Sequence, residues 1–179
     1  MNKTPVIWLT GMSGSGKTTL ATYAYNSLSK KGYKIEVIDG DSVRERDKKK
    51  LGFGINDVLI NNQRIANLAM QKRKECDLVL IPVISPYEEI RQKIRKILEP
   101  NFHLIYLKVD IDILKERDPK GLYAAADRGQ IKNLIGYSSE NPYENPLNPE
   151  LTVIMTKNQK IEVSLKLINN YFIEKKMFY

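Results

Sequence analysis

Residues 5–18 read Pro5-Val-Ile-Trp-Leu-Thr-Gly-Met-Ser-Gly-Ser-Gly-Lys-Thr18, an apolar run that ends in a glycine-rich octet. The octet, Gly11 to Thr18, fits the phosphate-binding pattern G-x-x-x-x-G-K-[ST]. Val6–Leu9 predicts a strand and Thr18 to about Lys31 a helix, so the octet sits at a strand-to-helix turn. Its three glycines let the backbone curl until several N–H groups point at one phosphate group. The adjoining helix N-terminus adds a dipole that favours an anion. Gly11, Ser13, Gly14, Ser15, Gly16, Lys17, Thr18 and Thr19 are therefore the expected contacts of a nucleoside triphosphate. Lys17 would reach the β- and γ-phosphates, and the Thr18 hydroxyl would ligate Mg²⁺.

Working outward, apolar runs alternate with helical patterns. Further strands are expected at Tyr33–Ile38, Leu78–Ile84, Leu104–Val109 and Thr152–Met155, and further helices at Asn61–Lys74, Tyr87–Glu99, Ile111–Arg117 and Ile161–Glu174. Leu78-Val-Leu-Ile-Pro-Val-Ile84 is almost wholly apolar, as in a strand covered on both faces of a parallel sheet, with Pro82 marking a bulge near its end. The expected fold is α/β: a P-loop NTPase fold of three layers, α/β/α, around a parallel sheet. Residues 1–179 read as one domain. Two stretches resist the alternation, about residues 44–60 and 118–149. Long irregular segments in a compact domain are often functional, and these two are expected to be lids that close over substrates.

Composition narrows the choice. Hydrophobic residues make up 42% and charged residues 28% of the 179, with a formal net charge of +8. Basic residues gather at Arg44–Lys50, Lys72–Lys74 and Arg91–Lys96 and read first as solvated helix faces. Their field would also draw in polyanionic small molecules. Nucleic acid is not an expected partner, because no aromatic platform accompanies the charge. No apolar run is long enough to cross a membrane. The single Cys76 suits a reducing cytosol, so a cytoplasmic location is expected, and with His103 as the one histidine a zinc site is not. Trp8 and His103 read as structural.

Ile35-Glu-Val-Ile-Asp-Gly-Asp41 ends a strand with two carboxylates two residues apart. Ligands of a parallel α/β sheet sit beyond the carboxyl ends of its strands, which places Asp39 and Asp41 at the γ-phosphate. One can organise Mg²⁺ while the other accepts a proton from an attacking hydroxyl. The plainer alternative is an Asx-type turn. No base-reading N-K-x-D of a GTPase is present.

The chain resembles the adenylylsulfate (APS) kinase family over nearly its whole length. The likeness is carried by Gly11–Thr19, Asp39-Gly-Asp-Ser-Val-Arg44, Leu51-Gly-Phe53, Ile84-Ser-Pro-Tyr87 with Arg91, Arg117-Asp-Pro-Lys-Gly-Leu-Tyr123, and Tyr143-Glu-Asn-Pro146 with Asn148-Pro-Glu-Leu151. The resemblance implies that ATP, with Mg²⁺, phosphorylates the 3′-hydroxyl of adenosine 5′-phosphosulfate to give PAPS. It implies Asp41 as base and Asp39, with Thr18, on the magnesium side. Arg44, Phe53, Asn61, Ile84, Ser85, Lys120, Leu122 and Leu134 fall at acceptor-binding positions. Ser85 stands where some relatives carry a phosphoserine, Arg117 and Lys120 where the nucleotide is strapped down. The family also implies a homodimer.

Departures cluster on the acceptor side. Val58 stands where the family usually has an acceptor-binding arginine, and an aliphatic chain cannot replace a guanidinium fork. Leu134 replaces an aromatic that would sandwich the base with Phe53. Ala124-Ala-Ala-Asp127 replaces a basic stretch, with Arg128 and Lys132 nearby as possible compensation. The ATP half of the motif set is intact. Two further readings therefore stay open: the same 3′-hydroxyl chemistry on a related nucleotide such as cytidine 5′-diphosphoramidate, or an ATP-binding module without transfer.

Overall fold

In the computed structural model, which describes residues 4–45 and 51–178, five parallel strands run in the order β2-β3-β1-β4-β5. They are β1 (Val6–Thr10), β2 (Ile35–Val37), β3 (Leu78–Pro82), β4 (Phe102–Val109) and β5 (Leu151–Met155). The helices are α1 (Lys17–Ser29), α2 (Gly40–Glu45), α3 (Ile55–Lys72), α4 (Glu88–Leu98), α5 (Ile111–Arg117), α6 (Leu122–Asp127) and α7 (Ile161–Glu174). The central strand β1 lies between β3 and β4, in register Trp8 to Ile81 and Trp8 to Leu104.

Strand side chains alternate between faces, and both faces of β1 are buried. Val6 and Trp8 pack with Val79, Ile81 and Leu104 under Ile65, Ala66 and Ala69 of α3 and Ile90, Ile94 and Leu98 of α4. Ile7 and Leu9 point the other way, joining Leu80, Ile105 and Val153 under Leu20, Ala21 and Leu28 of α1 and Ile168 and Phe172 of α7. The expected three-layer architecture is thus present. Trp8 is fully buried in the first of these layers.

Several local expectations are corrected. Pro82 closes β3 without a bulge: the N–H groups of Val79 and Val83 bond toward β1, so Pro82's nitrogen faces the β2 side, where β2 has already ended at Val37. No ladder bond is lost there. β2 is shorter than Tyr33–Ile38, and α3 starts at Ile55 rather than Asn61. The first expected lid, about 44–60, takes in only the end of α2 and the first turn of α3, with residues 46–50 outside the described residues, and the second contains α6. Two arginines expected on solvated faces are buried. Arg73 is 5% exposed and donates to the carbonyls of Thr4, Leu98 and Pro100, tying the end of α3 to the end of α4 and to the segments leading into β1 and β4. Arg91 is 1% exposed. At the other end of the chain, Phe178 packs on Tyr33 at 4.6 Å between ring centroids.

Candidate active site

The carboxyl ends of β1, β2 and β3 open on one edge of the sheet, and the phosphate-binding pattern occupies the turn from β1 into α1. That turn requires glycine at two positions in particular. Gly16 has φ 92°, and a Cβ at Gly11 (φ 152°) would lie 2.7 Å from the Leu107 carbonyl oxygen. Lys17 folds over the loop, donating from Nζ to the carbonyls of Gly11 and Met12, each at 2.8 Å, and to Ser15 Oγ at 3.3 Å. Burial pushes its ammonium down to about 8, against the attraction of Asp41 and Asp39 and with help from Lys120. Ser13, Gly14, Gly16, Lys17, Thr18 and Thr19 line a cavity of about 200 Å³ together with Asp39, Asp41 and Lys120. Gly11 and Ser15 are buried in the loop itself.

The two aspartates divide their roles. Asp39 Oδ1 accepts from the backbone N–H of Asp41 at 3.0 Å and of Ser42 at 3.1 Å, capping α2. The turn-forming alternative is therefore true of Asp39, and it is what aims the residue. Its other oxygen, Oδ2, accepts from Thr18 Oγ1 at 3.3 Å. Asp41, carried one residue into α2, accepts from Lys120 Nζ at 2.7 Å. That bond raises the affinity of Lys120 for its proton.

The Thr18 hydroxyl and Asp39 Oδ2 form an oxygen pair at the mouth of the loop. This donor set suits Mg²⁺, which is commonly held by one or two protein oxygens plus phosphates and water. Among the described residues no group of three or more acidic, histidine or cysteine side chains is placed to hold a metal, so the remaining ligands would come from the nucleotide and solvent.

A second cavity of about 360 Å³ opens beside the first. Its wall is mainly apolar, built from Phe53, Ile84, Leu122, Ile131, Leu134 and Ile135, with Asp41, Arg44 and Lys120 as its charged members. Arg44 donates to the Gly52 carbonyl, and its guanidinium lies 5.1 Å from the Phe53 ring centroid. A third, small cavity of about 30 Å³ is lined by Asn61, Asn62, Val58 and Ser85 among others. Asp41 and Ile84 line all three cavities.

Ser85 has φ 45°, an uncommon backbone for a residue with a side chain. Arg91 holds that turn. Its Nη1 donates to Ser85 O and its Nη2 to Glu144 O, both at 2.7 Å, while Nε and Nη2 grip Glu88 Oε2. Tyr143 adds a hydroxyl contact to Thr10 Oγ1 at 2.9 Å.

Arg117, expected to strap down the nucleotide, lies apart from the cavities. Its Nη2 donates to Thr156 O at 3.1 Å, beyond the end of β5. Arg128 pairs with Gln130 and lines none of the cavities. Asp127 joins Lys115 at 2.9 Å and accepts from the Tyr137 hydroxyl, so Asp127 and Tyr137 form a clip within the second segment. Sequence reasoning missed Tyr123, whose buried hydroxyl donates to Ser13 O at 2.8 Å and ties α6 to the phosphate loop. Its signal was the tyrosine at the end of Asp118-Pro-Lys-Gly-Leu-Tyr123. Ile131 and Ile135 were missed as well, and no periodic pattern marks them.

Known proteins align with this geometry. The family described as adenylylsulphate kinase matches residues 3–154. The adenylyl-sulfate kinase of Bacillus pumilus is 41% identical over 175 residues, covering 97% of this chain and 87% of that protein. The probable adenylyl-sulfate kinase of Archaeoglobus fulgidus is 40% identical over 155 residues, 87% and 98% of the two chains. Among solved structures, the Mycobacterium tuberculosis APS kinase CysC in complex with AMPPNP and APS superposes with a TM-score of 0.84 at 30% identity, over 97% of this chain and 99% of that one. A gluconokinase from Sinorhizobium meliloti, 16% identical with a TM-score of 0.67, shares the fold alone. With the phosphate loop, the two aspartates and these relatives in agreement, the chain belongs to the adenylylsulphate kinase family.

Proposed function

We propose that this chain transfers the γ-phosphoryl group of Mg·ATP to the 3′-hydroxyl of adenosine 5′-phosphosulfate. The observation that carries the reading is the position of Asp41, on the border between the phosphate-loop cavity and the apolar cavity. A nucleoside whose base sits among Phe53, Leu122 and Leu134 would place its sugar there. Asp41 accepts the proton of the 3′-hydroxyl as that oxygen bonds to the γ-phosphorus, and the bond from phosphorus to the β,γ-bridging oxygen breaks to release ADP. Lys17 and Lys120 offset the charge on the transferred group, and the magnesium ion held by Thr18 and Asp39 supplies further neutralisation when bound. The loose transition state of phosphoryl transfer asks mainly for such positioning.

A related nucleotide as acceptor is the second reading, and Val58 favours it. This residue is 1% exposed and brings no charge to the acceptor side, where the family usually offers a guanidinium. The reading also includes a homodimer in the cytoplasm. Ile154 on the edge strand and Val163 and Ile173 on α7 are exposed apolar side chains, and covering them on association would be favourable. The test is to incubate the protein with ATP, Mg²⁺ and APS, follow ADP, and locate the new phosphate by ³¹P NMR. A 3′-phosphorylated product, lowered roughly 100- to 10,000-fold by Asp41→Asn, is expected. ATP binding with no phosphorylated nucleotide would refute it.

A further inference from the structure

Three buried side-chain oxygens have no hydrogen-bond partner among the described residues: Asn61 Oδ1, Asn62 Oδ1 and Ser85 Oγ. Their residues are 1–2% exposed, and all three line the third cavity. Leaving a buried acceptor unpaired is costly, so three around one cavity ask for donors from outside the fold. The amide orientations are set by their own bonds. Asn62 Nδ2 donates to Val58 O at 2.9 Å and Asn61 Nδ2 to Gly40 O at 3.4 Å, so in both residues it is the carbonyl oxygen that remains unused. Ser85 is kept in its strained turn by Arg91, and strain of this kind gathers at ligand sites.

The arrangement of the cavities says which part of an acceptor would reach this one. A ribonucleotide extends from its sugar in three directions: the base, the edge bearing the 2′- and 3′-hydroxyls, and the 5′-substituent. Asp41 and Ile84 stand where the three cavities meet. With the base in the apolar cavity and the 3′-hydroxyl toward the phosphate loop, the 5′-arm is left for the third. That cavity, about 30 Å³, has room for one water-sized group. A phosphosulfate arm carries oxygens that only accept and has nothing to give two amide carbonyls. An N–H or O–H group complements them.

We propose that Asn62 is a specificity-determining residue of this chain: with Asn61 and Ser85 it receives a hydrogen-bond-donating group on the 5′-substituent of the acceptor nucleotide. Such acceptors are used in preference to the wholly anionic phosphosulfate. The proposal rests on the second reading above, 3′-hydroxyl transfer to a related nucleotide, and departs from the first in the acceptor's 5′-substituent alone. Val58 and Asn62, one turn apart on α3, act together, the first removing a cation and the second adding an acceptor.

The experiment compares two probes, adenosine 5′-phosphosulfate and adenosine 5′-phosphoramidate, with Mg·ATP and the chain of residues 1–179. In the unmodified protein kcat/KM should be at least tenfold higher for the phosphoramidate. Asn62→Leu should lower that value about tenfold through KM, with kcat little changed, and should leave the phosphosulfate value unchanged or higher. Ser85→Ala, which removes one oxygen from the same cavity with little change of volume, serves as the second variant if Asn62→Leu unfolds. It should shift the ratio of the two acceptors in the same direction. Product from both probes with a ratio that neither variant moves would overturn the inference alone. So would a phosphoramidate-bound structure with only a water in the cavity. Absence of any 3′-phosphorylated product from either probe would refute the parent reading and this one with it.

Discussion

Arg91→Met removes the buried guanidinium that joins α4, the Ser85 turn and the 143–144 segment. The side chain is 1% exposed, and its partners are Glu88 Oε2 and the carbonyls of Ser85 and Glu144. Methionine fills similar apolar space but leaves Glu88 without its cation and two carbonyls without donors. Breaking a buried pair by removing one partner costs about 3–5 kcal/mol. For a chain of this size each kcal/mol lowers Tm by about 2–4 °C, so a fall of roughly 6–20 °C is expected. Activity should suffer unevenly, because Ser85 lines the third cavity and not the phosphate-loop cavity. KM for the acceptor should rise several-fold while ATP affinity changes little.

Acid titration adds an independent check of the same ion pair. Burial pushes the Glu88 carboxyl up, but hydrogen bonds from Gln92 and Arg91 and the attraction of Arg91 outweigh it, holding the group below its ordinary value of 4.5. A depressed carboxyl contributes stability above its unfolded pKa and loses it as pH falls through the folded one. The unmodified protein should therefore lose stability on acidification below about pH 4.5, and Arg91→Met should show a shallower loss. Differential scanning calorimetry across pH, with acceptor and ATP titrations, measures all of this. A Tm within 2 °C of the unmodified protein, or equal losses for ATP and acceptor, would refute the reasoning.

Further outcomes follow from the site. Lys17, pushed down to about 8 by burial, is charged below that pH and neutral above it, so kcat/KM for ATP should fall as pH rises through about 8. A flat profile from pH 7 to 9 would contradict the buried lysine. Tyr123→Phe leaves the Ser13 carbonyl without its buried donor, and a loss of about 1–3 kcal/mol in stability is expected in urea unfolding, with a higher KM for ATP.

The sequence made the sheet and the phosphate loop legible because both are locally constrained. Strands buried on two faces must read as apolar runs, and the loop must spell its glycines at fixed spacing. Asp39 and Asp41 were legible for the same reason, as charges at the end of such a run. The six-residue helices α2 and α6 were not. Helices so short are marginal alone, and these are held by tertiary features: Asp39 caps α2, while Asp118 accepts from the N–H groups of Tyr123 and Ala124 at the start of α6. Arg73 and Arg91 were read as solvated because charge runs usually are. Their burial depends on carbonyls supplied by loops and a helix end outside the charge run, which no local pattern encodes. The wall of the acceptor cavity was half visible. Phe53 and Leu134 were found through their family positions, whereas Ile131 and Ile135 lie in an irregular segment whose path is set by packing.

The most direct measurement is a crystal structure with a non-hydrolysable ATP analogue, Mg²⁺ and an acceptor nucleotide bound together. The account predicts the acceptor's 3′-oxygen within about 2.6–3.2 Å of an Asp41 carboxylate oxygen, facing the γ-phosphate. A 3′-oxygen lodged away from Asp41, with the sugar turned out of the junction of the three cavities, would contradict it.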